Sequence, residues 1–169
     1  AAYTFQVVSL IAAPDANAGL NFPLSLGNTT TVRPSLWLGG SAFAKTFGVF
    51  DGTNASNSAN NQFTTAADGN VWRDMVMTYD NTATPKTTLY KDAVSSALGA
   101  PNTGVDLTGT VAAYNTLRIG ARVDNNAALG FAGTIAYVLI YNRALSAAEV
   151  AQNHAALKVL LAPRGIALG

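Results

Sequence analysis

With 169 residues, 49% of them hydrophobic and 11% charged, the chain has one domain's length and enough apolar side chain to build a core unaided. Ten basic against nine acidic residues leave a net charge of +1 with no basic cluster, which argues against nucleic-acid binding by electrostatic steering. The lack of cysteine excludes disulfides, thiolate chemistry and Cys-ligated zinc.

A charged share this low means that Ala, Gly, Ser, Thr and Asn must cover the surface, as in a neutral, rigid protein built for assembly. Residues 7–13 form an apolar run far shorter than the ~18 residues of a membrane span, so no membrane insertion is expected. No charged segment precedes that run, so it does not read as a signal peptide. The first residue is not Met, and the chain is expected to be a processed product or a piece of a larger protein.

Turn signals recur at Pro14-Asp15, Gly27-Asn28, Gly39-Gly40, Asp51-Gly52, Asp68-Gly69, Asp80-Asn81, Pro101-Asn102 and Asn125-Asn126. Runs rich in β-branched and aromatic residues between them predict strands near 3–12, 35–38, 46–50, 62–64, 71–79, 87–91, 116–121 and 134–141. Residues 51–62, small and polar, read as a loop or irregular edge. In "VWRDMVMTYD", period-2 geometry puts Trp72, Asp74, Val76 and Thr78 on one face and Arg73, Met75, Met77 and Tyr79 on the other. Apolar groups on both faces predict a central strand. The same argument makes 134–141 central.

Many short strands and little helix predict an all-β antiparallel sandwich or barrel. One helix is expected near the end. Ser146 and Glu149 fit the S-x-x-E capping box, and Val150, His154, Leu157 and Leu161 form one stripe at i, i+4, i+7 and i+11. Pro163 should bias Ala162 out of helix and end the element. The expected organisation is one domain over 1–162 and a tail, 163–169, serving as a docking arm.

Three stretches carry a family resemblance: "VWRDMVMTYDN" at 71–81, "TTLYKDAV" at 87–94, and "LRIGAR" followed by "GFAGTIAYVLIYNRALSAAEV". Together they resemble a laminin-G-like domain of the concanavalin A-like lectin/glucanase superfamily, of the bacterial and phage type. That resemblance implies an antiparallel two-sheet jelly-roll sandwich with one short C-terminal helix. Two departures stand out. Ala136 occupies a place where the family often has a carboxylate, and Asp92-Ala93 replaces its Asp-Gly hairpin.

Relatives of this kind include glycoside hydrolases, which need paired carboxylates about 5 Å apart if retaining. Glu149 is the chain's one glutamate, and no predicted strand carries acidic residues at i and i+2 or i+4. The sole histidine, His154, lies on the apolar stripe and reads as a packing residue. One His without Cys does not make a zinc site, and no phosphate-cradling glycine motif occurs. The reading is of a non-enzyme.

In the resembled fold, sugars bind at loops or on the concave face, on an aromatic platform beside Asp and Asn groups. Aromatic candidates are Trp37, Trp72, Tyr114 and Phe131, with Trp72 assigned to packing. The ligand-binding set is Trp37, Asp124, Asn125, Asn126 and Phe131. No cofactor is expected; calcium is the ion the resemblance raises, with Asp80, Asp92 and Asp124 as oxygen donors, and Ala136 counts against it. Asn28 and Asn54 begin sequons.

Two functions follow. The first is a structural or adhesion module of a virion (a phage decoration, tail or fibre protein) or of an extracellular surface. Its expected partners are neighbouring virion or surface proteins in an oligomeric assembly, together with cell-surface glycan. The alternative is a carbohydrate-binding module of a secreted or surface bacterial protein. A third reading is a protein-binding laminin-G-like domain of an adhesin.

Overall fold

Strand β1 (Ala2–Ile11) is buried on both faces because its two side-chain rows meet different partners. Phe5, Val7 and Ile11 face a sandwich interior, while Thr4, Gln6 and Val8 face a helix. The computed structural model describes residues 2–12, 21–27, 32–41, 44–50, 57–64, 68–84, 86–96, 116–121 and 130–169. Its further strands are β2 (Asn21–Gly27), β3 (Val32–Ser41), β4 (Ala44–Phe50), β5 (Asn57–Thr64), β6 (Trp72–Asp80), β7 (Thr87–Lys91), β8 (Val94–Ser96), β9 (Thr116–Ile119) and β10 (Gly133–Tyr141).

They form two five-stranded antiparallel sheets, ordered β10-β1-β6-β7-β8 and β5-β4-β3-β2-β9. The fold is the expected jelly-roll sandwich. Its interior holds Phe5, Val7, Ile11, Leu24, Met75, Met77, Tyr79 and Leu89, each full burial worth roughly 1.5–3 kcal/mol. Met75, Met77 and Tyr79 point inward from β6 while Val76 packs under the helix, so the two-faced reading of that strand holds.

The helix, α1 (Ala147–Leu161), forms a third layer on the outer face of the first sheet. Its start is fixed by the predicted box: Glu149 N–H donates to Ser146 Oγ, and Ser146 N–H donates to Glu149 Oε2 at 2.8 Å. Thr4 ties the preceding segment to β1, donating to Arg143 O and accepting from Leu145 N–H, each at 2.9 Å. Val150, His154, Leu157 and Leu161 are the buried stripe.

Three expectations need correction. First, β10 is an edge strand with no fully buried residue. It is apolar on both faces because Ile135 and Val138 reach the interior while Ala136, Tyr137 and Leu139 lie beneath the helix layer. Gly133 permits its pairing to β1, since a Cβ there would collide with the Leu10 carbonyl oxygen.

Second, the α-helix stops at Leu161, ahead of Pro163 as expected, but not because Ala162 is turned out of helix. Ala162 keeps helical angles and the chain continues through a 3-10 turn, Ala162–Arg164. Gly165 stops it at φ 75°, with Ile166 N–H bonded to Leu161 O and Gly165 N–H to Ala162 O, a Schellman motif.

Third, β2 is a strand that the pattern of apolar runs does not predict. Pro23 lies in it, flanked by β3 and β9, and is accommodated by an irregularity between Asn21 and Leu24 that asks no amide of it. The stretch read as a loop or irregular edge supplies the start of β5 at Asn57, an edge strand whose pairing with β4 is irregular, in line with the edge reading. Small polar residues suit a strand at a sheet edge.

Strands β7 and β8 are joined by Asp92 and Ala93, both at positive φ (51° and 63°), the geometry of a type I′ turn.

Candidate functional site

The densest polar group in the described residues lies under α1. His154 Nδ1 is 3.0 Å from Asp74 Oδ2, and its Nε2 is 3.0 Å from the Gly169 carbonyl oxygen. Gln6 Nε2 donates to both Asp74 oxygens, at 3.1 and 2.9 Å. Asn153 Nδ2 donates to Gln6 Oε1 and to the Tyr141 hydroxyl, and Lys158 Nζ donates to Gly169 O at 3.0 Å. Asp74 is fully buried and His154 nearly so. Burial pushes the Asp74 carboxyl above its ordinary range, against its bonds to His154 and Gln6. The bond to Asp74 pushes the His154 pKa up, against its burial.

Next to this pair, four charged side chains close the end of the sheet. Arg73 bridges Asp68 (Nε, 2.8 Å) and Asp92 (NH1, 2.7 Å), and Lys91 reaches Asp68 at 3.3 Å. Asp92 Oδ1 accepts from Asp74 N–H at 2.9 Å. Both Asp92 oxygens are thus held by protein donors, as a strand-end clamp.

The structure does not bring the proposed calcium donors together. Asp80 follows the Tyr79–Thr87 pair and Asp92 follows the Lys91–Met75 pair, at opposite ends of one ladder. Asp92 lies opposite Asp74, so the two stand about 20 Å apart at ~3.4 Å per residue. Asp80 Oδ1 accepts from Thr82 N–H and Oγ1, at 2.8 and 2.7 Å, an Asx turn that lowers its pKa. Asp124 lies outside the described residues. Among the described residues no three His, Cys, Asp or Glu side chains gather as a metal site.

Of the ligand-binding set, Asp124, Asn125 and Asn126 also lie outside the described residues, as do Tyr114, Asn28 and Asn54. The Phe131 ring is half-buried against the sandwich interior, which engages it in packing. Its amide donates to Gly120 O at 2.8 Å, so the chain leaves at Gly120 and returns at Phe131 from one place. That place is fixed to β2, where Gly120 N–H donates to Pro23 O and Ser25 Oγ to Ala121 O. Trp37 pairs with Gly48, one register step beyond the Leu36–Leu24 pair. The backbone row Gly48, Trp37, Pro23, Gly120 therefore crosses the second sheet, with Trp37 and Gly120 two strand spacings, roughly 10 Å, apart. Trp72 packs with Val8, Leu157 and Leu161, as expected.

Chemically, the Asp74–His154 pair lacks a nucleophile: among the described residues both imidazole nitrogens face acceptors, and no hydroxyl bonds to the ring. His154 is thus a charge partner as well as the packing residue expected. Its unforeseen partner, Asp74, carried a signal in the sequence, since a carboxylate on the Trp72–Val76 face of a doubly buried strand needs a donor.

A family model described as the concanavalin A-like lectin/glucanases superfamily matches residues 8–151. The chain belongs to this superfamily. Several solved structures share its fold. The CBM40 domain of the Ruminococcus gnavus IT-sialidase superposes with a TM-score of 0.64 at 14% identity, over 90% of this chain and 82% of that one. A Bacteroides ovatus protein named as a candidate carbohydrate binder gives 0.60 at 18% identity, over 89% and 40%. Trypanosoma rangeli sialidase gives 0.64 at 15%, and there the match covers 90% of this chain but 22% of the enzyme. At these identities the likeness establishes the fold alone. Comparison with curated protein sequences finds no match. No helix among the described residues is long and apolar enough to cross a membrane.

Proposed function

We propose that this concanavalin A-like domain is a non-enzymatic carbohydrate-binding module of a secreted or surface protein. The observation that carries the reading is the row linking Trp37 to the Gly120–Phe131 closure. It joins the one tryptophan on the second sheet to the two ends of the segment containing Asp124, Asn125 and Asn126. An aromatic beside carboxylate and amide groups is the chemistry that stacks on a sugar face and bonds its hydroxyls. The similarity to CBM40 and to the Bacteroides ovatus protein supports the same reading. The virion reading drawn from composition finds no counterpart in the relatives named above. Ion-paired Asp68 and Asp92, and Asp74 bonded to His154, leave these carboxylates committed to structure, in keeping with a binding role.

A broad array of immobilised glycans tests the proposal. Saturable binding to a defined group of glycans is expected; silence across the array, with and without added calcium, overturns it.

A further inference from the structure

We infer that the Asp74–His154 pair is a proton-dependent latch holding the tail, 163–169, against the outer face of the first sheet.

The geometry carries the inference. His154 stands between two acceptors, Asp74 Oδ2 and Gly169 O, each 3.0 Å from a ring nitrogen. A neutral imidazole has one N–H, so it satisfies one of them and turns a lone pair on the other. Both hydrogen bonds form only when the pair together holds two protons. Gln6 donates to both carboxylate oxygens, which favours the ionised carboxylate and the imidazolium. When the second proton leaves, the remaining N–H stays with Asp74, which is fully buried and out of reach of water, whereas Gly169 O keeps a donor in Lys158 Nζ. The hydrogen bond to the tail is then the one that breaks.

That bond is half of the tail's polar anchor; Lys158 Nζ supplies the other half from the exposed side. The apolar anchor is Leu168, 7% exposed, packed with Val8, Leu157 and Leu161, with Ile166 beside it. The charged groups around His154 are Asp74 from β6, Asp92 from the β7–β8 turn, and Lys158 from its own helix; Arg73 lies close to Gly169 on the tail side. Asp74 and Asp92 favour the imidazolium and Lys158 opposes it. Release opens the apolar cluster that Leu168 forms with Val8, Leu157 and Leu161, around which Trp72, Tyr137 and Leu139 pack.

The pKa values of His154 and Asp74 are both raised, so the pair keeps its protons to higher pH than the free side chains do. The latch is therefore fully closed below His154's unfolded value of about 6.5 and weakens as pH rises through its higher folded value.

His154 is the only histidine, so its ring nitrogen resonances report the titration of this group alone. NMR of the whole chain across pH tests the latch directly. The docked-to-undocked ratio of the tail is read from Leu168 methyl signals and their proximity to Val8 and Leu157. As His154 loses its proton, that ratio is expected to fall roughly ten-fold, the worth of one hydrogen bond to a charged group. Lys158→Ala, at an exposed position, enlarges the fall; His154→Gln flattens it. Should His154→Gln not fold, the titration of the unsubstituted protein decides by itself. A tail that stays equally docked while His154 deprotonates, or a His154 midpoint at or below about 6.5, overturns the inference.

Discussion

Asp74 and His154 lie 80 residues apart in the chain and 3.0 Å apart in the fold. One belongs to the strand beside β1 and the other to the helix laid across it, so the pair fastens α1 to the sheet from within.

Removing the imidazole leaves a buried carboxylate with Gln6 as its remaining side-chain donor. His154→Ala is expected to cost about 3 kcal/mol, the low end for breaking a buried pair from one side. Urea unfolding measures it. A cost under about 1 kcal/mol, the worth of a surface pair, contradicts the buried reading.

The β7–β8 turn places Ala93 at φ 63°, where a Cβ crowds the following carbonyl. Ala93→Gly relieves that strain and is expected to stabilise the fold by up to about 1 kcal/mol. Part of the gain is offset because the Ala93 methyl packs near Val76, Tyr90 and Val150. Thermal unfolding of the two proteins compares them; a lower melting temperature for the glycine variant counts against the turn geometry.

At the start of α1, Ser146→Ala removes the cap hydroxyl and should cost about 1 kcal/mol. Glu149 is held down to about 2 by Arg143, 2.7 Å away, and by the Ser146 N–H and hydroxyl. A depressed carboxylate contributes stability that is present above its unfolded value of about 4.5 and fades as pH falls toward 2. Glu149→Gln should therefore flatten the acid side of the stability profile between those limits; an unchanged acid limb argues against the cap.

What the residues disclosed depended on how local the cause was. The two-faced apolar pattern of β6 and the S-x-x-E box of α1 are written in consecutive residues, and both were legible. The edge position of β10 was not, because its own pattern reports burial on two faces and the neighbour supplying one face is a helix packed from outside. Pro23 hid β2, since a strand that skips one amide bond looks from sequence like no strand. The Gly165 stop was present in the sequence but stood behind the louder Pro163. For the site, Trp37 and the Gly120–Phe131 closure meet only through register across β2, a relation no local pattern encodes. Asp80 and Asp92 matched as residue types and parted as positions.

The most direct test of the central claim is a parallel glycan-binding measurement on the unsubstituted protein, Trp37→Ala and Val94→Ala. Val94 is an exposed control on the first sheet, away from the Trp37 row. The proposal predicts that Trp37→Ala loses roughly 30-fold or more in affinity, as a binding hot spot does, while Val94→Ala binds normally. Equal binding by all three proteins would contradict it.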